Sequence, residues 1–514
     1  MRKSILLFVF TGLILSANAQ VTVVDSGTCG TNLTWVLTSD SVLTISGSGA
    51  MTNYSHGDAP WYSNRTRIKT VVIEDGVASI GNWAFFNCSG LSSISIPNSV
   101  TRIGNRAFSN CGSLSLIDIP NSVITIGEEA FVLCTNLTSI IIPNSVIAIE
   151  RNTFNNCTKL TSVSIGNSVI TIGYSAFVVC TNLISVSIGN SVTTIGEYAF
   201  YGCSSLASII IPNSVTTIDT AAFAHCNSLL SVIIPNSVTK IEEAAFLGCS
   251  SLLSIDVDSN NIRYSSNDGI LYNKLQDTLI QCPGGKKIVI VPESVKVIGF
   301  GAFAHCSKLT SVNIPNSVTT IGEAAFLGCS SLTSINIPDS VITIGDAAFH
   351  NCRDLTSISI GSSVSKIGNW AFEGCRSLDT IISKALYPPS IEQYTFYTVP
   401  KDAIVYIPCG SLWDYQVSWG FTNYIEDCDS VVNIKETVQN TGFKVYPNPA
   451  KNQLQITIEV ERHSPVLVEI YSVVGQNVGV YGIRPNDNII DVSHLSAGMY
   501  YLKIDGKVVK FVKE

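Results

Sequence analysis

Apolar residues alternate with hydroxyls along Leu91-Ser-Ser-Ile94-Ser-Ile96, the two-residue period of a strand with one buried face. Ile94 and Ile96 are expected to point inward, Ser93 and Ser95 outward. Pro97 has no N–H to give to a ladder, so the strand should stop there and the chain turn. Ile103-Gly104 then leads into a short segment whose Ala107, Phe108 and Cys111 predict a buried wall opposite the strand. After Leu114 the same pattern starts again.

The recurrence is strict. Cys88, Cys111, Cys134, Cys157, Cys180, Cys203, Cys226 and Cys249 lie 23 residues apart, as do Cys306, Cys329, Cys352 and Cys375. A phenylalanine stands three positions before each of these cysteines and a leucine three after, from Phe85 and Leu91 to Phe372 and Leu378. A fixed period between 20 and 50 residues marks a solenoid, in which no repeat covers its own apolar side and stacked repeats bury one another. The expected fold is a curved repeat solenoid over about 67–430, with a parallel β-sheet on one side and short irregular or helical returns, one strand and one return per repeat. With strands ~4.8 Å apart, the twelve cysteine-marked repeats span roughly 60 Å. One interruption breaks the rhythm: the 57 residues from Cys249 to Cys306 hold Asp268-Gly269 and Gly284-Gly285, which predict a hairpin insert near 258–287.

The cysteines fit packing better than chemistry. Stacked thiols would point the same way into the interior, which disulfide geometry disfavours, and cysteine is a good small buried hydrophobe. One thiol per repeat, without Cys-x-x-Cys or histidines at metal spacing, is a poor zinc signature. Cys409 and Cys428 lie outside the repeats and are free to pair in an oxidising compartment; Cys29 and Cys282 also fall outside the pattern.

The ends differ from the array. Arg2 and Lys3, an apolar run from Ile5 to Leu15 and Ala17-Asn18-Ala19 have the order of a secretory signal peptide, here 1–19. Later in the chain no run of eighteen apolar residues occurs, so no transmembrane segment is expected. The chain has 514 residues, 46% apolar and 13% charged, with net charge −8. That balance, without a basic cluster, argues against nucleic acid as a partner. From 443 onward, alternating strands separated by turns predict a small all-β sandwich after a polar linker at 431–442.

The repeats resemble the BspA-like leucine-rich repeats, the 23-residue class also called treponemal, over about residues 67–385. The asparagine of Pro97-Asn98-Ser99 is displaced by one position from the commoner leucine-rich consensus, so the usual asparagine ladder is not assumed. The stretch at 27–51 with Ala59-Pro60-Trp61 is similar to the family's lead-in, giving an N-terminal β cap at 20–66. Residues 383–430 are similar to the extension that closes such arrays. The string from Tyr446-Pro447-Asn448-Pro449 through Gly498 and Tyr500 to the last residue resembles the type A sorting domain of the type IX secretion system. The resemblances imply an exported protein at the outer cell surface that engages the type IX machinery and attaches to host matrix proteins or other cells.

A search for chemistry finds little. His225, His305 and His350 sit at variable repeat positions, and His56, His463 and His494 are isolated. No His-Glu-x-x-His, Gly-x-Ser-x-Gly or phosphate-loop lysine is present, and Glu242-Glu243 falls on an exposed turn. No catalytic, cofactor or metal site is predicted, and the chain is read as a non-enzyme. What remains is a surface: the outward strand positions Ser95, Asp118, Ile141, Ser164, Ser187, Ile210, Ile233, Asp256, Asn313, Asn336, Ser359 and Ile382. This long, hydroxyl-rich face suits a broad protein partner better than a small molecule, which needs a closed pocket. A glycan is the second candidate, weakened by the lack of aromatic platforms on this face. A passive spacer or surface-layer component is the alternative function.

Overall fold

The computed structural model describes residues 20–428, 443–458, 466–472, 476–483, 488–504 and 507–514. The chain forms two compact units that part after Cys428, and each is taken by itself. The signal segment and the linker at 431–442 lie outside the described residues.

The first unit is the solenoid. Ser139–Ile142 pairs in parallel with Ser162–Ile165, which pairs with Ser185–Ser187, each residue opposite the one 23 positions on. The inward residues Ile140, Ile142, Val163 and Ile165 are buried. Ladder pairing lapses at 115–119 and 208–211, yet Ile117, Ile119, Ile209 and Ile211 stay buried, so side-chain burial carries the register there. The expectation of one strand per repeat is corrected. A second ladder of two-residue strands runs alongside, as in Thr171↔Thr194 and Ile172↔Ile195. Its isoleucines (Ile103, Ile126, Ile172, Ile195) close the core from another side.

The returns are tight turns, not helices. In the first repeat the N–H groups of Trp83, Phe85 and Asn87 donate to the carbonyls of Asn105, Ala107 and Ser109, while those of Ala84, Phe86 and Cys88 fold back within the repeat. This alternation requires left-handed backbone at two residues per turn, for example Trp83 (φ 57°) and Asn87 (φ 59°), then Arg106 (55°) and Asn110 (61°). Such residues cost energy alone; here Trp83, Asn87, Arg106 and Asn110 each donate an inter-repeat hydrogen bond that satisfies their backbone N–H. The glycine after isoleucine has a separate cause: a Cβ on Gly104 would lie 2.5 Å from the Asn82 nitrogen.

Two columns fill the interior. The phenylalanine rings stack with centroids 4.7–5.6 Å apart and planes within 14° of parallel, from Phe85 to Phe246 and from Phe303 to Phe396. Beside them every repeat cysteine is free and buried. From Cys111 to Cys249, and again at Cys329, Cys352 and Cys375, the thiol donates at 3.0–3.3 Å to the phenylalanine carbonyl of the preceding repeat. Cysteine thus packs as expected and adds a hydrogen bond that alanine lacks.

The predicted hairpin is part of a three-stranded meander, Tyr264–Asn267, Ile270–Asn273 and Thr278–Gln281. Asp268 (φ 49°) and Gly269 (φ 68°) make its two-residue turn, the geometry in which Asp-Gly excels. Its third strand joins the second ladder through Thr278↔Val297 and Leu279↔Ile298. Cys282 takes the phenylalanine place in this row: its N–H donates to the Ala302 carbonyl at 2.7 Å, as that of Phe303 does to Ala325. The aromatic stack is therefore broken, and the buried residues fall into one cluster on each side.

Both ends of the stack are covered. Trp61, fully buried, stacks on Phe85 (5.6 Å) and donates its Nε1–H to the Ala84 carbonyl at 2.7 Å. At the far end helix α1 (Leu412–Trp419) sets Trp419 against Phe396, which Phe421 also meets edge-on. A Cys409–Cys428 disulfide closes this segment. The second unit has two antiparallel sheets, of three and four strands, sharing a core that includes Leu454, Ile456, Val468, Ile470, Leu502 and Phe511: a small β-sandwich.

Candidate functional site

Because side chains alternate across a strand, each outward residue of the first ladder stands beside its counterpart in the next repeat. The register pairs Val72 with Ser95, Ile141 with Ser164, Ser164 with Ser187, Ile233 with Asp256, Ile290 with Asn313, Asn336 with Ser359, Ser359 with Ile382, and Ile382 with Tyr406. The side chains from Ser95 to Asn336 named in the sequence lie exposed, and Ser359 is half-buried. Val72, Ile290 and Tyr406 were missed, Val72 because it precedes the first repeat cysteine. Counting from the cysteine loses Ile290 across the 57-residue interval, and Tyr406 lies beyond the last repeat cysteine.

The face is not uniform. At its middle, Ile210 is 82% exposed and Ile233 66%. Ile184, Leu230 and Leu253 are also exposed, and the last two are neighbours through the Leu253 N–H to Leu230 carbonyl bond. Asp256, held by the Ser254 hydroxyl at 2.8 Å, borders this patch. Toward the N-terminal end an open groove of about 640 Å³ runs past Asp75, Asn98, Asp118, Asn121 and Ile141. A smaller cleft of about 210 Å³ lies at the insert, between Glu242-Glu243 and Gln281. Among the described residues no group of three or more His, Cys, Asp or Glu is placed to hold a metal ion.

The turn after the strand carries polar ladders. Serine hydroxyls of the Asn-Ser-Val turns donate to a valine carbonyl one repeat back, as in Ser122 to Val100 and Ser237 to Val215, both at 2.7 Å. An asparagine ladder, which was not assumed, is present over three repeats: Asn144 Oδ1 accepts the Asn167 N–H (2.7 Å), and Asn167 Oδ1 that of Asn190 (3.1 Å). These ladders tie adjacent repeats together along the rim of the face. Inside, burial pushes the Cys88, Cys134 and Cys249 thiols up to about 12. They are protonated hydrophobes, not nucleophiles.

In the second unit the Tyr446-Pro447-Asn448-Pro449 run leaves the first strand of its sheet, Phe443–Tyr446. Asn448 accepts the Val512 N–H at 2.8 Å and donates to the Lys510 carbonyl at 3.2 Å, tying the motif to the last strand. Gly498 opens the strand that Tyr500 continues. Tyr500 stacks on Phe511 (5.6 Å), and its hydroxyl donates to the Ser496 carbonyl.

Comparison with known proteins agrees with this geometry. Residues 59–184, 170–284 and 280–402 match the BspA type leucine rich repeat region, in six copies. Residues 444–514 match the secretion system C-terminal sorting domain. A leucine-rich repeat protein from Bacteroides ovatus is 27% identical, covering 75% of this chain and 98% of its own, with TM-score 0.53. A leucine rich cell surface protein from Faecalibacterium prausnitzii is 28% identical, covering 70% and 94%, with TM-score 0.48. No curated protein matches.

Proposed function

The chain belongs to the BspA-type leucine-rich repeat family, and from that premise we propose that it is an adhesive surface protein binding a protein partner across the first-ladder face. Its sorting domain directs secretion to the cell surface. In this reading residues 1–19 are the export signal, 20–66 and 383–430 close the solenoid ends, and 443–514 is the address read by the type IX machinery.

The observation that carries the binding role is the patch of Ile184, Ile210, Leu230, Ile233 and Leu253. Exposed apolar clusters with a polar surround mark interaction sites, and this one lies on a face where Ile141, Ile290 and Ile382 also stand exposed among Ser, Asn and Asp. The face is long and open, which favours a folded protein, such as a host matrix or other cell-surface protein, over a small ligand. It carries few of the Trp, Tyr and Arg anchors that dominate tight interfaces. Affinity per molecule is therefore modest, raised by many copies on one cell. The test is binding of the purified protein to immobilised matrix proteins, with Ile210→Asp/Ile233→Asp beside the parent. Binding that falls at least tenfold in the variant supports the proposal. Binding to none of the matrix proteins favours a passive spacer, and binding unchanged in the variant moves the site elsewhere.

A further inference from the structure

The other side of the core is built differently. Counting from the buried phenylalanine of each return, the residues two before and one after it flank the ring; large ones reach the outer surface of the turn, while small ones such as Ser109, Ala221, Ala224 and Ala304 are buried. In many repeats one or both are small or polar. In three rows both are aromatic: Trp83 with Phe86, Tyr198 with Tyr201, and Tyr394 with Tyr397. Each pair takes the same edge-to-face arrangement, with centroids 4.7, 5.6 and 5.6 Å apart and planes at 71°, 79° and 81°. Rings from neighbouring rows extend each pair, and the middle station is the longest. Tyr174 lies 5.9 Å from Tyr198, His225 5.2 Å from Tyr201, and His305 5.8 Å from His225. The Arg151 guanidinium sits over Tyr174.

We propose that this return wall binds a neutral glycan chain, with the Tyr174–Tyr198–Tyr201–His225 track as its principal station. Three features select a glycan. The track is one ring wide and runs along the solenoid axis, so it matches a linear polymer rather than the two-dimensional, fully desolvated core of a protein interface. Tyrosine and histidine present an apolar ring with a polar edge, which suits the C–H faces and hydroxyls of a pyranose. The amides of Asn152, Asn155 and Asn156, already linked to one another at 3.1 and 2.6 Å, extend the track one repeat upstream with donors and acceptors.

The track is also preformed. Tyr198, His225 and His305 hold left-handed backbone (φ 55°, 59° and 56°), and their N–H groups bond to Thr220, Leu247 and Leu327 of the next row. Gly248 leaves the space that the His225 ring fills; a Cβ there would lie 2.6 Å from Nδ1. Little conformational freedom is left to lose on binding.

The full chain should be titrated with cellohexaose, mannohexaose and chitohexaose by calorimetry and tyrosine fluorescence. At least one should bind, and Tyr198→Ala/Tyr201→Ala should weaken it about tenfold or more, with Tyr198→Phe/Tyr201→Phe restoring most of the affinity. The first-ladder variant Ile210→Asp/Ile233→Asp should leave it unchanged. The proposal is overturned if none of the three binds at millimolar concentration, or if ring truncation leaves glycan affinity intact. It is overturned equally if the truncation abolishes matrix-protein binding alone, which would make the wall a protein site.

Discussion

Replacing Phe200 with alanine tests the stacked core most directly. The ring is fully buried, with Phe177 5.2 Å away on one side and Phe223 5.4 Å away on the other, both within 2° of parallel. Truncating a buried phenylalanine costs about 3–5 kcal/mol, and the upper half of that range applies here because the rows above and below are hydrogen-bonded to each return and cannot collapse into the space. In a solenoid each repeat contacts only its neighbours, so the loss falls on two interfaces at once. Amide hydrogen exchange should show it locally: protection in the returns around Phe177, Phe200 and Phe223 should drop roughly a thousand- to five-thousand-fold. Urea unfolding followed by circular dichroism should show a lower midpoint for the block N-terminal to the insert, because the broken aromatic stack at Cys282 separates two clusters. Phe300→Ala is the control; that ring is 42% exposed and its loss should stay within about 0.5 kcal/mol. If Phe200→Ala destabilised no more than Phe300→Ala, the stack would not be what holds adjacent repeats together.

The repeat cysteines should react slowly with a thiol reagent in the native protein and completely once unfolded; fast native labelling, or repeat-to-repeat disulfides on mass mapping, would refute the packing account. Their titration gives a pH dependence of definite sign. A thiol near 9 when unfolded and about 12 when folded favours the fold below pH 9, and the contribution is lost as pH rises through about 12. Thermal stability should accordingly fall between pH 9 and 12, and a flat profile there would count against buried neutral thiols. Deleting 443–514 should leave the solenoid folded but absent from the cell surface, by surface proteolysis and fractionation. Normal surface display of the truncated chain would remove the sorting role from this segment.

The solenoid was legible because the residues that face inward are nearly identical in every row: Phe, Cys and Leu at fixed offsets leave only stacking as a way to bury them. The second ladder was not, because two residues such as Thr171-Ile172 are too few to display a period. Nor could the sequence show that a cysteine thiol meets the Phe carbonyl of the row before it, since that contact joins residues 26 apart through the stacking itself. Cys282 was obscure for a related reason. It stands in the phenylalanine place of a row whose length departs from 23, so alignment on cysteine gives it no column. On the first-ladder face most outward positions could be counted from the period alone. The aromatic pairs of the return wall stand at equally fixed offsets, but three rows among many look like ordinary variation until the fold brings their neighbours alongside.

The interior also explains where this protein has room for function. Rows stacked at a constant rise must have nearly equal cross-sections, and a larger residue in one phenylalanine or cysteine place would splay the rows on both sides of it. Variation is therefore concentrated in the outward columns. On one side those columns hold hydroxyls around an isoleucine patch, and on the other small residues around aromatic tracks. The buried phenylalanine and cysteine columns separate the two, so a ligand on one wall makes no contact with the other. Changes to either can accumulate without disturbing the packing between them. A uniform core is what lets one chain carry two independent surfaces.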